Sequence, residues 1–168
     1  FSVVRYGNVM GSRGSVIPFF LKEAQKGVLP ITDLNMTRFN ISLLEGVEMV
    51  LTALKTSLGG ELFVPKMPSY RITDLAKAID PNCKRIISGL RPGEKIHEDL
   101  ITSSDSRNTY DCGDYYIILP TDKKYYQKYI DAGRDLKNVE NGFSYSSGTN
   151  PNFLTVNELR SLISINID

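Results

Sequence analysis

The sequence has 168 residues, of which 41% are hydrophobic and 23% charged, the composition of a soluble globular protein and the length of one ordinary domain. A net charge of +1 offers no basic field for nucleic acid, and no apolar run approaches the roughly 18 residues that a membrane helix needs, so neither nucleic acid nor membrane is expected as a partner. Cys83 and Cys112 are too few and too unpatterned for a metal site or a disulfide framework and read as reduced thiols of a cytoplasmic protein.

Residues 1–6, FSVVRY, form a predicted strand that opens without Met, polar lead-in or signal pattern. A strand with no preceding partner reads as a cut through a larger protein whose remaining sheet lies elsewhere. Residues 7–14 are a glycine-rich loop, and Ser15 is the N-cap candidate of a helix whose Val16, Phe19, Phe20 and Ala24 follow helical spacing up to Gly27. Residues 29–32 are extended. Ser42-Leu43-Leu44-Glu45 has the form of a capping box, opening a helix with one apolar stripe of Leu43, Val47, Val50, Leu51 and Leu54 that Gly59-Gly60 ends. A strand over 61–65, a helix capped by Thr73 and carrying Leu75, Ala76 and Ile79, and a strand over 84–88 lead to the turn Arg91-Pro92-Gly93-Glu94, after which His97 falls on a predicted helix. Tyr-rich extended pieces follow at 110–111 and 115–119. The polar stretch 121–152 lacks periodicity and reads as long surface loops. Thr155-Val156-Asn157-Glu158 is a second capping box that opens a terminal helix through Leu159, Leu162 and Ile163. Short strands and helices alternating with no recurring period predict an α/β or α+β domain.

Four arginines lie in predicted loops: Arg5 beside Gly7-Asn8, Arg13 between two glycines, Arg38 after Met36-Thr37, and Arg91 at the head of its turn. A guanidinium fork grips phosphate or carboxylate at two points, glycine lets backbone N–H groups approach the same anion, and the helix beginning near Ser15 adds its positive end. Any one of them taken singly reads first as a solvated or ion-paired surface residue, and only the four together point to an anion. The G-x-G-x-x-G dinucleotide fingerprint is absent, and none of the nine tyrosines has a lysine four positions later, so neither a cofactor fingerprint nor a Tyr-x-x-x-Lys pair is present. His97, the only histidine, stands without cysteine or histidine neighbours and reads as structural, so no metal site and no nucleophile triad is expected.

Arg5-Tyr6-Gly7-Asn8-Val9, Gly11-Ser12-Arg13-Gly14-Ser15-Val16-Ile17-Pro18-Phe19-Phe20, Pro30-Ile31-Thr32-Asp33, Met36-Thr37-Arg38-Phe39, Glu61-Leu62-Phe63-Val64-Pro65-Lys66 and Arg91-Pro92-Gly93-Glu94-Lys95 occur in this order. Together they resemble the C-terminal half of the inverting UDP-N-acetylglucosamine 4,6-dehydratases, enzymes of the extended short-chain dehydrogenase/reductase (SDR) type. The resemblance runs from Phe1 to about Leu119 and returns weakly at residues 143–147. It implies an α/β fold made of the C-terminal part of an extended SDR Rossmann-type protein, with the last Rossmann elements and the smaller substrate-binding domain. Residues 1–120 are expected to carry the substrate-binding elements, and 121–168 to form a loop-rich tail with a terminal helix.

In such enzymes the sugar is oxidised at C4, loses water across C5 and C6 and is reduced at C6 with inversion at C5, NADP carrying the hydride. The product resembles the first intermediate of pseudaminic acid synthesis, used in flagellin glycosylation. By the resemblance, Asn8, Val16, Thr32, Arg38, Arg91 and Glu94 are substrate-binding. Val9, Met10, Gly11, Ser12 and Arg13 form the turn near the nicotinamide end of NADP. Arg38 and Arg91 would neutralise the diphosphate of UDP-N-acetylglucosamine, Glu94 would accept hydrogen bonds from ribose hydroxyls, and for Val16 and Thr32 simple packing is an equal reading. The catalytic tyrosine and lysine of the family have no counterpart in this segment, which is expected to be inactive alone and to belong to a cytoplasmic homo-oligomer. Two other readings stay open: a UDP-sugar epimerase of the same fold, and a non-catalytic interaction module.

Overall fold

The computed structural model describes residues 1–167. In chain order the elements are β1 (Val3–Val4), β2 (Asn8–Val9), α1 (Val16–Ala24), β3 (Val28–Ile31), β4 (Thr37–Ile41), α2 (Leu43–Thr56), β5 (Leu62–Pro65), β6 (Ser69–Arg71), α3 (Ile72–Ile79), β7 (Lys84–Ile87), β8 (Asp99–Ile101), a 3-10 turn (Ser106–Asn108), β9 (Thr109–Asp111), β10 (Tyr115–Ile118), α4 (Lys123–Asp131), β11 (Lys137–Asn138), β12 (Tyr145–Ser146) and α5 (Val156–Asn166). The fold is mixed α/β, with parallel and antiparallel pairing. Two compact units interleave along the chain. The first comprises Phe1–Tyr6, Leu44–Lys66 and Asp99–Ser146, the second Gly7–Leu43, Met67–Glu98 and Ser147 onward.

The first unit is built on a five-stranded sheet in the order β1-β5-β10-β9-β11. Its register aligns Phe63, Ile117 and Tyr110 across three neighbouring strands, so one row of side chains points to one face and enters the same core with Met49, Ala53 and Tyr129. The buried Glu61 carboxylate closes the unit, accepting hydrogen bonds from Ser2 Oγ at 2.6 Å, Gly59 N at 3.0 Å, Tyr129 Oη at 3.0 Å and the Leu58 amide.

The second unit holds the three-stranded sheet β2-β4-β6 and the parallel pair β3-β7. Its core joins Ile17 and Phe20 of α1, Leu29 and Ile31 of β3, Leu75 and Ala76 of α3, and Leu159 of α5. Helix α5 starts on the anticipated capping box: Thr155 Oγ1 accepts from Glu158 N, and a Glu158 carboxylate oxygen accepts from Thr155 N at 2.7 Å. The first turn is thus closed by bonds within four residues of one another, independent of any tertiary contact.

Four expectations change. Arg71, in extended backbone, holds the N-cap position of α3 without a side-chain cap, so Thr73 lies inside the helix and does not cap it. The stretch 121–152 contains α4, started by Asp122, whose carboxylate accepts from Lys124 N at 3.0 Å. Its polar composition hides an amphipathic turn in which Tyr129 alone is buried. Residues 121–168 therefore divide, with α4, β11 and β12 in the first unit and α5 in the second. His97 is not helical. The Ile96 carbonyl is taken by Thr37 N and by Arg38 Nη1, so the segment is drawn onto β4 instead of closing a helical turn. On α2 it is Gly46, Met49 and Ala53 that are buried, while the apolar stripe points outward, Leu54 being 77% and Leu43 68% exposed. That helix is apolar on more than one face, and its small residues allow the closer approach to the sheet.

Candidate functional site

A cavity of about 570 Å³ lies within the second unit. Asn8, Val16, Thr32, Arg38, Arg91 and Glu94 all line it, so six positions spread over 87 residues of sequence meet in one place. Sheet register explains two of them. β2 runs parallel to β4 with Asn8 opposite Asn40, and β6 runs antiparallel with Tyr70 opposite Arg38. Alternation along β4 then sets Arg38 and Asn40 on one face, together with Asn8 and Tyr70. Gly7 precedes Asn8 because its backbone lies against Phe39, where a side-chain carbon would collide with the Phe39 Cβ.

Arg91 and Glu94 are placed by local chemistry. Pro92 and Gly93 occupy the two central positions of a turn in which Gly93 has φ +80° and Glu94 N donates to Arg91 O at 3.0 Å, the type II pattern that needs glycine at the third residue. Arg91 N donates to Glu94 Oε2 at 3.2 Å, which binds the Glu94 carboxylate to the same turn. Val16 is the first residue of α1, and Thr32 follows directly after β3. Pro18, Phe19, Phe20, Pro30, Met36 and Ile72 give the cavity an apolar wall opposite these polar groups.

Arg38 stands on a strand rather than in a loop. Nη1 donates to Thr37 O at 2.7 Å and Ile96 O at 3.0 Å, while Nη2 faces Glu94 Oε1 at 3.9 Å and Nε faces Glu98 Oε1 at 3.7 Å. Burial pushes the Glu98 carboxyl above its ordinary value, against the opposing pull of the hydrogen bond from Phe39 N and the Arg38 charge. The Tyr70 phenol, fully buried, is also pushed up, first by burial and then by the Glu98 charge, although Asn8 hydrogen-bonds it. Thr37 Oγ1 meets His97 Nδ1 and Ser147 Oγ, each at 2.8 Å, so the sole histidine joins a buried hydroxyl network beside Arg38. Among the described residues no cluster of three or more His, Cys, Asp or Glu is placed to hold a metal ion.

The turn Val9-Met10-Gly11-Ser12-Arg13 is not part of the cavity wall; Gly14, the next residue, is. Within the turn Met10 is buried in the core, Gly11 and Gly14 have positive φ, and Ser12 N donates to Val9 O at 3.2 Å. The buried Ser15 Oγ that follows has no hydrogen-bond partner among the described residues. Arg5, which belongs to the first unit, donates to Leu100 O at 2.9 Å.

Sequence reasoning missed Lys22, which also lines the cavity. Its signal was helical spacing: Val16, Phe19 and Lys22 recur every three residues on α1, and all three reach the cavity. No helix among the described residues is long and apolar enough to cross a membrane.

The sequence profile of a family described as polysaccharide biosynthesis protein matches residues 1–120. The UDP-N-acetylglucosamine 4,6-dehydratase (inverting) of Campylobacter jejuni subsp. jejuni serotype O:2 is 48% identical over 97% of this chain and 51% of that protein. A UDP-glucose 4-epimerase of Rickettsia canadensis is 45% identical over 78% of this chain and 40% of its own length. The X-ray structure of Pen from Bacillus thuringiensis superposes with a TM-score of 0.82 at 35% identity, over 98% of this chain and 50% of that one. The chain thus spans about half the length of the relatives it matches.

Proposed function

The chain belongs to the polysaccharide biosynthesis protein family, and from that premise we propose that it is the substrate-binding portion of a UDP-N-acetylglucosamine 4,6-dehydratase that inverts C5, a hydro-lyase whose 4-keto-6-deoxy UDP-sugar serves pseudaminic acid-type surface glycans such as those of flagellin. The observation that carries this reading is the cavity itself. Cations, a carboxylate and an amide face an apolar wall there, at the positions the family motifs supply, which suits a ligand with a flat base, ribose hydroxyls and a diphosphate.

In this reading Asn8, Arg38, Arg91 and Glu94 form the polar wall and Val16 and Thr32 help shape the pocket, Arg91 meeting phosphate and Glu94 accepting from ribose hydroxyls. The turn from Val9 to Arg13 would hold a nicotinamide dinucleotide, NADP in particular. The positive-φ glycines and the unpartnered Ser15 Oγ fit a group bound against backbone there. When bound, that cofactor supplies hydride exchange with the sugar. The chain's own residues orient the nucleotide and its sugar; no residue of this segment is assigned a catalytic role, and the isolated segment is inactive. The reading includes a cytoplasmic homo-oligomer, in keeping with two free cysteines.

Incubating the intact protein with UDP-N-acetylglucosamine and NADP tests this. Loss of one water, with inversion at C5 seen by NMR, supports the dehydratase. A product of unchanged mass would establish an epimerase instead, the reading that the Rickettsia relatives favour, and no conversion with no UDP binding would leave an interaction module.

A further inference from the structure

A second cavity, of about 270 Å³, lies within the first unit and shares no residue with the one already described. Two connections wall it: the tip of the β9-β10 hairpin, where Cys112 N donates to Tyr115 O at 2.9 Å, and the turn from α4 into β11, where Arg134 N donates to Tyr129 O at 3.0 Å. Its apolar side is Ile117, Leu136 and the buried Tyr129, whose hydroxyl donates to Glu61 Oε1 at 3.0 Å and so fixes the ring. The charges on the wall do not cancel. Asp111 is taken by Lys66 Nζ at 2.7 Å and by Gly113 N at 2.9 Å. The Arg134 guanidinium, half-buried and 5.6 Å from the centroid of the Tyr129 ring, has neither an ion pair nor a hydrogen bond among the described residues. Lys137 lies opposite Asp111 in the β9-β11 register without an ion pair of its own. Of the lining carboxylates, Asp135 alone remains against these two cations, which leaves one positive charge beside an apolar surface.

We propose that this cavity binds a small organic monocarboxylate, gripped at two points by the Arg134 guanidinium with Lys137 beside it, its apolar part lying against Tyr129, Ile117 and Leu136. A two-point grip needs parallel N–H donors that are not already spent, and Arg134 has them. One carboxylate cancels the single excess charge, whereas a phosphate dianion would leave a negative charge facing Asp135. The volume is below that of a drug-sized site, so it suits a ligand of one ring or a short chain.

Labelling of Cys112 by a maleimide in the intact protein, followed by peptide mass mapping, reads this cavity alone, because Cys112 lines it and Cys83 is buried in the core of the second unit. Burial, and then the Asp111 charge, push the Cys112 thiol up, so labelling is run at about pH 8.5. Benzoate should slow it about tenfold at saturation, with half the effect near about 1 mM, while benzamide and chloride at the same concentration leave the rate unchanged. Arg134→Gln should abolish the protection and Lys137→Gln should weaken it. Arg134→Lys, which keeps the charge without the fork, should restore only part. Equal protection by benzamide, protection that survives Arg134→Gln, or none up to about 50 mM benzoate overturns the proposal. If the thiol resists labelling altogether, broadening of the benzoate ring signals in NMR decides: broadening lost in Arg134→Gln supports the site, and broadening retained or absent overturns it.

Discussion

Thr37 and His97 are joined side chain to side chain, Thr37 Oγ1 lying 2.8 Å from His97 Nδ1. Ser147 Oγ extends the link, contacting Thr37 Oγ1 at 2.8 Å and accepting from Glu98 N at 2.9 Å. Three distant segments of the second unit are thus stitched at one point beside the cavity.

The role of His97 follows from that stitch. His97→Ala removes a partner from the buried Thr37 hydroxyl, which costs about 1 to 2 kcal/mol and should lower the melting temperature by about 2 to 8 °C. Gly148→Ala should act in the same direction, because its Cβ would come within 2.7 Å of the imidazole ring. Both variants should also bind UDP more weakly, since the segment carrying Glu94 and Glu98 loses an anchor. Melts and UDP titrations of the two variants check this; wild-type values in both would mean that the network holds nothing in place.

Gly7 tests the strand pairing that presents Asn8. A methyl group at Gly7 collides with the Phe39 Cβ on β4, so β2 must shift away from a register in which Asn8 opposes Asn40. Gly7→Ala is expected to cost about 1 to 3 kcal/mol and to weaken UDP binding beyond what the stability loss explains. Denaturant unfolding alongside UDP titration at a temperature well below the melt measures the two effects separately.

Glu61 gives the first unit a pH dependence. Burial raises its carboxyl, but hydrogen bonds from Ser2, Leu58 and Tyr129 outweigh burial and hold it below the ordinary value of 4.5. A depressed folded-state pKa means stability that is present above that value and lost as pH falls through the folded pKa. Glu61→Gln should therefore cost about 2 kcal/mol at neutral pH, with the gap to wild type narrowing below about pH 4.5. A gap that stays constant down to acid pH would show that the charge contributes nothing.

The outward stripe on α2 should make the 168-residue chain self-associate. Val47, Val50, Leu51 and Leu54 are all exposed, and apolar side chains grouped on one exposed helix face favour association. Replacing Leu51 and Leu54 with Glu should reduce self-association seen by light scattering and leave the melting temperature within a degree or two, as neither side chain is buried in the core.

Local patterns in the sequence determined the Thr155–Glu158 capping box, the Pro92-Gly93 turn and the strand at Leu62–Pro65, because each depends on residues within a few positions of one another. The family resemblance that the motifs carry, rather than any local pattern, named the six residues that meet in the cavity. It could not say that Arg38 would face Glu94 and Glu98 across more than fifty residues, that Lys22 would join the wall, or that the α2 stripe would turn outward. Those outcomes depend on sheet register and on which helix face meets a sheet. Both are set by the sum of many weak contacts between distant segments, which leave no mark in any short window of the chain.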